Sequence, residues 1–372
     1  MIPVVLHLEN KKVLVVGDGK VANRKIRQLI KEKADITVVA KECDHKYKIK
    51  YIEDEYKEEY LEGMFLAYAA TNDKDVNHRI IEDCNRLNIL CGSAKYEEQS
   101  SFFSMNTAEN EVGMIGLSTF QKIPYSKPLL DQMMNILDEN KERLTMIADL
   151  RNYILKKLTD SKDYFTALYN MSDEWLRFIH DSTIKGIGYI FIYHPGSGNE
   201  NFKFTIDPHI TLTIEDFKLL QEYLIFDVKY KIIPLVLSDG IIYRRIVKSV
   251  KISSEISTPI IHTEQDVKDI ISAFQNGQNT IYIIHPRKDT SLKDTIRENL
   301  LDNEEIYDFL EQYKLKPNEV NRVVLFLVTH GGHYQDIKDQ LNLLEKMGFQ
   351  IEFIGTLLDN PNIIKWLENK VR

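Results

Sequence analysis

Lys12–Ala22 reads KVLVVGDGKVA, and the first domain follows from it. A short apolar run ends at Val16, where Gly17-Asp18-Gly19-Lys20-Val21-Ala22 opens with the G-x-G-x-x-A pattern. Val21–Lys31 then has helical spacing, and Asp35–Ala40 is a second apolar run. Strand, glycine turn, helix and strand make a βαβ unit. Each small residue in the turn has a reason. Gly17 permits the tight turn, Gly19 lets a pyrophosphate approach the backbone, and Ala22 lets helix and strand pack closely. The N-terminus of the helix then faces the phosphates. The second run, ITVVA, ends at Ala40 and is followed by Lys41 and Glu42. Glu42 is the candidate for the adenosine ribose, while Lys41 would tolerate a 2′-phosphate. The reading therefore leans to NAD over NADP.

Outward from this unit, Phe65–Ala70 reads as a strand and Val76–Arg86 as a helix, and Ile89–Cys91 and Val112–Leu117 are short apolar runs. The alternation predicts a mostly parallel α/β sheet with helices on both faces, a Rossmann-type domain over residues 1–126. From 127 to 185 the strand signal stops. LLDQMMNILDENKERLTMIADLRNYILKKL and DYFTALYNMSDEWLRFIHD have helical periodicity, and the segment is expected to dimerise or to cover a substrate.

From Gly186 the β/α alternation returns, and the chain repeats itself. YIFIYHP and IYIIHP place His194 and His285 91 residues apart, and KIIPLVLSDG and RVVLFLVTHG keep the same offset. Tyr243 falls on Tyr334 and Ile246 on Ile337, and DVKDIISAF resembles NIIKWLENK at a slightly longer offset. Residues 186–277 and 278–372 are expected to form two similar α/β lobes. Each lobe has a histidine directly after an apolar strand, where parallel sheets open their ligand crevice. The second lobe adds His330 and His333 in LVTHGGHYQDI. If the strands leading to His285 and His333 are neighbours, two imidazoles converge. Such a pair suits Fe²⁺, Co²⁺ or Ni²⁺ and can also accept protons near neutral pH. His330 is a secondary candidate and His194 a lone strand-end residue. His7, His45, His78, His180, His209 and His262 read as surface or packing residues.

Composition bounds the rest. The 372 residues carry 48 Lys and Arg against 56 Asp and Glu, a net charge of −8. Neither basic stripes nor interleaved aromatics accompany that charge, which argues against nucleic acid. No apolar run is long enough to span a membrane, and the N-terminus has no signal-peptide pattern. Cys43, Cys84 and Cys91 form no CxxC pair, so a reduced, cytoplasmic compartment is expected. EDEYKEEYLE (Glu53–Glu62) reads as a solvated acidic face, and Trp175 and Trp366 as packing residues.

With these pieces in place, the first 185 residues resemble the precorrin-2 dehydrogenase module of siroheme synthases. The matching stretches are KKVLVVGDGKVANRKIRQLI, ITVVAKE, LEGMFLAYAATNDKDVNHRII and the strand end at Ser118-Thr119. The resemblance implies NAD-dependent oxidation of precorrin-2 to sirohydrochlorin. It places Lys20, Val21, Lys41 and Glu42 near the cofactor and Thr71, Asn72 and Asp73 along the cleft. It also departs from the family. Lys95 in GSAKYE stands where the family carries a functional aspartate, and the glycine-rich turn after Thr119 is altered as far as Pro124.

The second half resembles the class II sirohydrochlorin chelatases, which insert cobalt or iron. LVTHGGHYQDI and LEKMGFQIEFIGTLLDNPNIIKWL carry that likeness, and it puts the metal histidines at His285 and His333. The glycines expected beside the first histidine are Ile284 and Pro286 here. The family's acidic residue has no assigned position, and Glu298, Glu304 and Glu305 lie in its interval within helical-looking sequence. Together the resemblances imply a bifunctional enzyme of siroheme synthesis, expected as a homodimer that handles precorrin-2 and sirohydrochlorin, with no nucleic-acid or membrane partner. The alternatives are a chelatase carried on a non-catalytic NAD-type scaffold and a tetrapyrrole-binding protein without catalysis.

Overall fold

The computed structural model describes residues 2–93, 99–118, 126–156, 158, 161–194, 202–225, 227–284, 291–308, 313–328, 330 and 332–372. The chain forms two compact units, Met1–Asn140 and Lys141–Arg372.

In the first unit β1 (Lys12–Val16), α1 (Lys20–Lys31), β2 (Asp35–Ala40), β3 (Lys50–Glu53), β4 (Leu66–Ala69), α2 (Lys74–Arg86) and β5 (Leu90–Ser93) follow in order. The five strands form one parallel sheet, ordered β3-β2-β1-β4-β5. β1 explains why its sequence is a continuous apolar run. Leu14 and Val16 pack into the core with Ile80, Ile81 and Cys84 of α2, and Val13 and Val15 pack with Ala22, Ile26 and Leu29 of α1. Consecutive strand residues thus bury on opposite faces.

The apolar run expected over Val112–Leu117 does not join this sheet. β6 (Asn106–Glu109) and β7 (Met114–Leu117) form a separate antiparallel pair. Only Asn110–Gly113 separates them, too short for a parallel crossover. The Asn110 side chain closes that turn by accepting from the amides of Val112 and Gly113. α3 (Lys127–Glu139) packs against this hairpin.

The second unit begins with α4 (Lys141–Leu155), α5 (Lys162–Asn170) and α6 (Asp173–Lys185). These helices bury Met146, Leu150, Ile154, Leu168, Leu176 and Ile179 with residues of the sheet that follows them. That first lobe contains β8 (Ile187–Tyr193), β9 (His209–Thr213), α7 (Ile214–Leu220), β10 (Lys229–Pro234), α8 (Ile241–Ser249), β11 (Ser254–Ile256) and α9 (Glu264–Ser272). The second lobe contains β12 (Thr280–Ile284), α10 (Ser291–Glu298), β13 (Glu304–Asp308), β14 (Val320–Phe326), α11 (Gly332–Lys346), β15 (Gln350–Thr356) and α12 (Pro361–Val371).

The two sheets are parallel and ordered β11-β10-β8-β9 and β13-β12-β14-β15. Reading the second in reverse gives the same connectivity: the first strand of each lobe lies between its second and third, and the fourth is outermost. β10 and β14 begin 91 residues apart, as do α8 and α11, so the sequence repeat coincides with a structural one. The lobes share a core in which Phe191 and Ile233 join Tyr282, Val324 and Phe326. α12 reaches back to the first lobe: Glu368 accepts from the amide of Ile206 at 2.9 Å and the hydroxyl of Thr205 at 2.8 Å, and also from the Thr205 amide. Among the described residues no helix is long and apolar enough to cross a membrane.

Candidate functional sites

β1 and β4 are neighbours whose connections leave on opposite sides, since β1 leads through α1 to β2 and β4 leads through α2 to β5. A crevice opens at such a switch point. Gly17 sits there with φ +110°, and a Cβ at this position would lie 2.5 Å from the Ala70 carbonyl oxygen. Only glycine fits. A Cβ on Gly19 would meet nothing within 4 Å, so the backbone there is open to an incoming group. Gly19 caps α1 without a side-chain hydrogen bond, which leaves the first amides of the helix to a ligand. Ala22 is fully buried against the sheet. These features fit a dinucleotide pyrophosphate.

The other residues expected around this cradle divide by position. Lys20 and Val21 are exposed in the first turn of α1. Asp18 is tied into the protein: its carboxylate accepts from the Asp44 amide at 2.7 Å and from the Asn23 side chain at 2.9 Å. It thereby links the glycine loop to the segment after β2. Asn23 Oδ1 is buried without a hydrogen-bond partner. Lys41 pairs with Glu55 at 2.9 Å, and that bond holds its ammonium above the ordinary lysine range. Glu42 is exposed beside it.

After β4, Thr71 is half-buried, Asn72 is exposed, and Asp73 caps α2 by accepting from the Asp75 and Val76 amides. The residue that fixes this loop is Asn77, which sequence reasoning did not single out although it lies within AATNDKDVN. It is buried, accepts from the Thr71 amide and hydroxyl, and donates to the Thr71 carbonyl at 3.0 Å. Ser118 is exposed at the end of β7. Lys95 and Thr119 lie outside the described residues.

The second site is defined by three adjacent strands of the last sheet. β12 and β14 pair in parallel with Ile284 opposite Phe326, and β14 pairs with β15 with Leu325 opposite Thr356. The chain positions that follow these strands leave from one edge. His285 follows β12 directly but lies outside the described residues. His333 is exposed in the first turn of α11, with Nδ1 3.8 Å from Asp336. His330 lies between β14 and α11 with Nε2 2.9 Å from Asp359 Oδ2, and its ring packs on Tyr334 with centroids 4.3 Å apart. His194 is exposed after β8.

The candidate acids are corrected by the fold. Glu304 and Glu305 are in strand β13 and not in a helix, and Glu304 begins that strand opposite Thr280, at the other end of the pairing from Ile284. It accepts from Tyr282, Gln275 and the Leu301 amide, a structural role in the core. Asp308, at the other end of β13, is the register partner of Ile284 and pairs with Lys293 at 2.9 Å. Strand register, invisible in the sequence, brings it to the histidine edge. Among the described residues no group of three or more His, Cys, Asp or Glu side chains is arranged to hold a metal ion.

A nucleotide-type parallel sheet followed by a duplicated pair of parallel sheets defines this chain as a two-part α/β protein. Residues 4–105 match the family model described as "Putative NAD(P)-binding". The chain is similar to siroheme synthases: it is 28% identical over 167 residues to that of Photobacterium profundum, covering 42% of this chain and 36% of the relative. It is 31% identical over 143 residues to siroheme synthase 3 of Aeromonas hydrophila, covering 37% and 31%. The chain thus spans about a third of the length of these curated relatives. Among solved structures, a precorrin-2 dehydrogenase aligns at 24% identity and TM-score 0.35, covering 48% of this chain and 92% of its own. A cobalt complex of the sirohydrochlorin chelatase of Bacillus subtilis subspecies spizizenii aligns at 14% identity and TM-score 0.38, covering 50% and 94%.

Proposed function

We propose that this chain carries out two consecutive steps of siroheme biosynthesis: NAD-dependent oxidation of precorrin-2 to sirohydrochlorin, then insertion of Fe²⁺ or Co²⁺. The observation that carries the proposal is the pairing, in one chain similar to siroheme synthases, of a glycine cradle at a sheet switch point with a duplicated sheet whose neighbouring strands lead into His285 and His333.

In the first step the amides at the start of α1 would hold the pyrophosphate, and Gly19 gives it room. Bound NAD supplies a two-electron acceptor. Glu42 would take the ribose hydroxyls, while the Thr71–Asn77 lock keeps the loop over β4 in place along the cleft. In the second step two pyrrole protons must leave as the metal enters. His285 and His333 would take the metal and the protons from one side of the macrocycle.

Incubating the chain anaerobically with precorrin-2 and NAD tests the first step, and NADH formation at 340 nm is the expected result. A second reading, in which only the chelatase is active, is favoured by Lys95 at the position where the resemblance expects an aspartate. Absence of NADH at high protein concentration, with metal insertion intact, would select it. We further propose a cytoplasmic homodimer, for which the exposed Leu129, Met133 and Ile136 on one stripe of α3 offer a pairing surface. Sedimentation of Met133→Asp as a monomer would support that surface.

A further inference from the structure

We propose that Glu55 makes the nucleotide site select NAD against NADP, by occupying Lys41, whose ammonium group is placed to receive a 2′-phosphate. The inference rests on the dinucleotide reading of the glycine cradle and deepens it to the choice between two cofactors.

In a sheet of this type the adenosine ribose comes to the end of the second strand, where a carboxylate takes its hydroxyls or a cation takes a 2′-phosphate. Here β2 ends at Ala40, and Lys41 and Glu42 follow it. The Gly17 amide donates to the Val39 carbonyl at 2.8 Å, and the Asp44 amide donates to the Asp18 carboxylate at 2.7 Å. The chain before and after Lys41 and Glu42 is thus tied to the glycine loop. The sequence offers a cation and a carboxylate side by side, and the fold decides between them. β3 pairs in parallel with β2, with Glu53 opposite Ala40, and the Asp54 amide donates to the Ala40 carbonyl at 3.0 Å. That register delivers Glu55 to the same edge, where its Oε1 lies 2.9 Å from Lys41 Nζ. The hydrogen bond from Glu55, with Asp73 of the loop after β4 adding to it, holds the Lys41 ammonium above the ordinary lysine range.

A 2′-phosphate brings about −1.5 to −2 of charge near neutral pH. At this edge it would meet Lys41 already neutralised, Glu55 beside it, and the exposed Glu42. Nearby cationic groups are engaged in the same way: Asp54 holds Lys57 at 2.6 Å, and Glu53 holds the His45 ring at 3.1 Å. The Lys41–Glu55 pair is exposed, so its own strength is small. The selection comes from the carboxylate that stays beside the phosphate whether or not the pair opens. It is a like-charge repulsion, and salt screens it. NAD has a hydroxyl at that position, which can donate to Glu42.

Isothermal titration calorimetry of the full chain with NAD and with NADP reads this choice without turnover. Wild type, Glu55→Gln, Lys41→Ala and the double variant would be compared at low and high salt, with melting temperatures to confirm folding. Glutamine keeps the size of the side chain and removes its charge. Wild type is expected to prefer NAD. Glu55→Gln should tighten NADP about tenfold while NAD stays within about twofold, and the gain should shrink at high salt. Adding Lys41→Ala should remove most of that gain. An ion pair with a merely structural role would move the melting temperature or both affinities together, and leave their ratio unchanged.

Three results overturn the proposal. If wild type binds NAD and NADP equally, Glu55 makes no selection, and the dinucleotide reading stands. If wild type prefers NAD and Glu55→Gln keeps the same ratio, the choice is made elsewhere in the site. If wild type binds neither, the dinucleotide reading falls and the inference with it.

Discussion

Replacing Gly17 by alanine separates the fold-forming role of the glycine turn from its ligand-facing role. At φ +110° an L-residue is strained, at a cost of about 1–3 kcal/mol. The new methyl would also lie 2.5 Å from the Ala70 carbonyl oxygen, a backbone atom that cannot rotate away. Relief requires β1 and β4 to part locally, where the Ala70 amide donates to Val16 at 2.9 Å and the Gly17 amide to Val39 at 2.8 Å. Overpacking of this kind adds a comparable cost, so the total is about 3 kcal/mol. Urea unfolding followed by far-ultraviolet circular dichroism measures the loss, and hydrogen exchange in the β1 and β4 peptides locates it. Gly19→Ala is the counterpart. It meets no neighbouring atom and gives up only a helix N-cap preference, about 0.5–1 kcal/mol, yet it fills the space proposed for the pyrophosphate. NAD affinity should fall about tenfold with the fold intact. A Gly17→Ala protein within about 0.5 kcal/mol of wild type would refute the argument from the close approach.

Other residues give separate tests. Asn77→Ala leaves the Thr71 amide and carbonyl without their partner, so stability should drop by about 2 kcal/mol in urea and NAD binding should weaken as the loop loosens. Burial, with Arg24 nearby, lowers the Lys25 pKa to about 8. The unfolded chain therefore holds this proton more tightly, and the contribution of Lys25 makes stability rise with pH from about 8 to 10.5. Lys25→Met should remove that slope and stabilise the protein at pH 7, seen as a higher melting temperature. For Glu368, burial alone would raise the carboxyl pKa, but the Thr205 and Ile206 amides and the Thr205 hydroxyl outweigh it and hold the group below its usual value of 4.5. Its stabilisation is present above pH 4.5 and lost as pH falls through the lowered folded value. Glu368→Gln should weaken the α12 attachment at pH 7 by about 2 kcal/mol and flatten the acid limb of unfolding curves.

Where local pattern decides structure, the sequence was readable. β1 and β2 have the boundaries that their apolar runs indicate, because strands buried on both faces have no alternative pattern. The 91-residue repeat implies two similar α/β lobes, and the equal connectivity of their sheets is seen only in the structure. β3 escaped notice because KYIE is an edge strand with no fully buried residue. The apolar run Val112–Leu117 does not show in sequence that its partner is the antiparallel β6, because an isolated apolar run does not reveal what it pairs with. At the candidate sites, the glycine turn was legible because its residue types are dictated by backbone geometry. The Asn77 lock, the Asp308 position and the His330–Asp359 pair were not, since each depends on side chains meeting across separate elements. Asp359 lies 29 residues after His330 in sequence, and only the pairing of β14 with β15 brings them together.

Metal insertion at the edge that follows β12 and β14 is addressed most directly by one measurement. It is an anaerobic absorbance time course of sirohydrochlorin with Co²⁺ or Fe²⁺, using wild type, His285→Ala and His333→Ala. Faster insertion by wild type, with both variants at the uncatalysed rate, is the predicted result. A wild-type rate equal to the protein-free control, with sirohydrochlorin still bound, would contradict it and leave the second half as a tetrapyrrole-binding module.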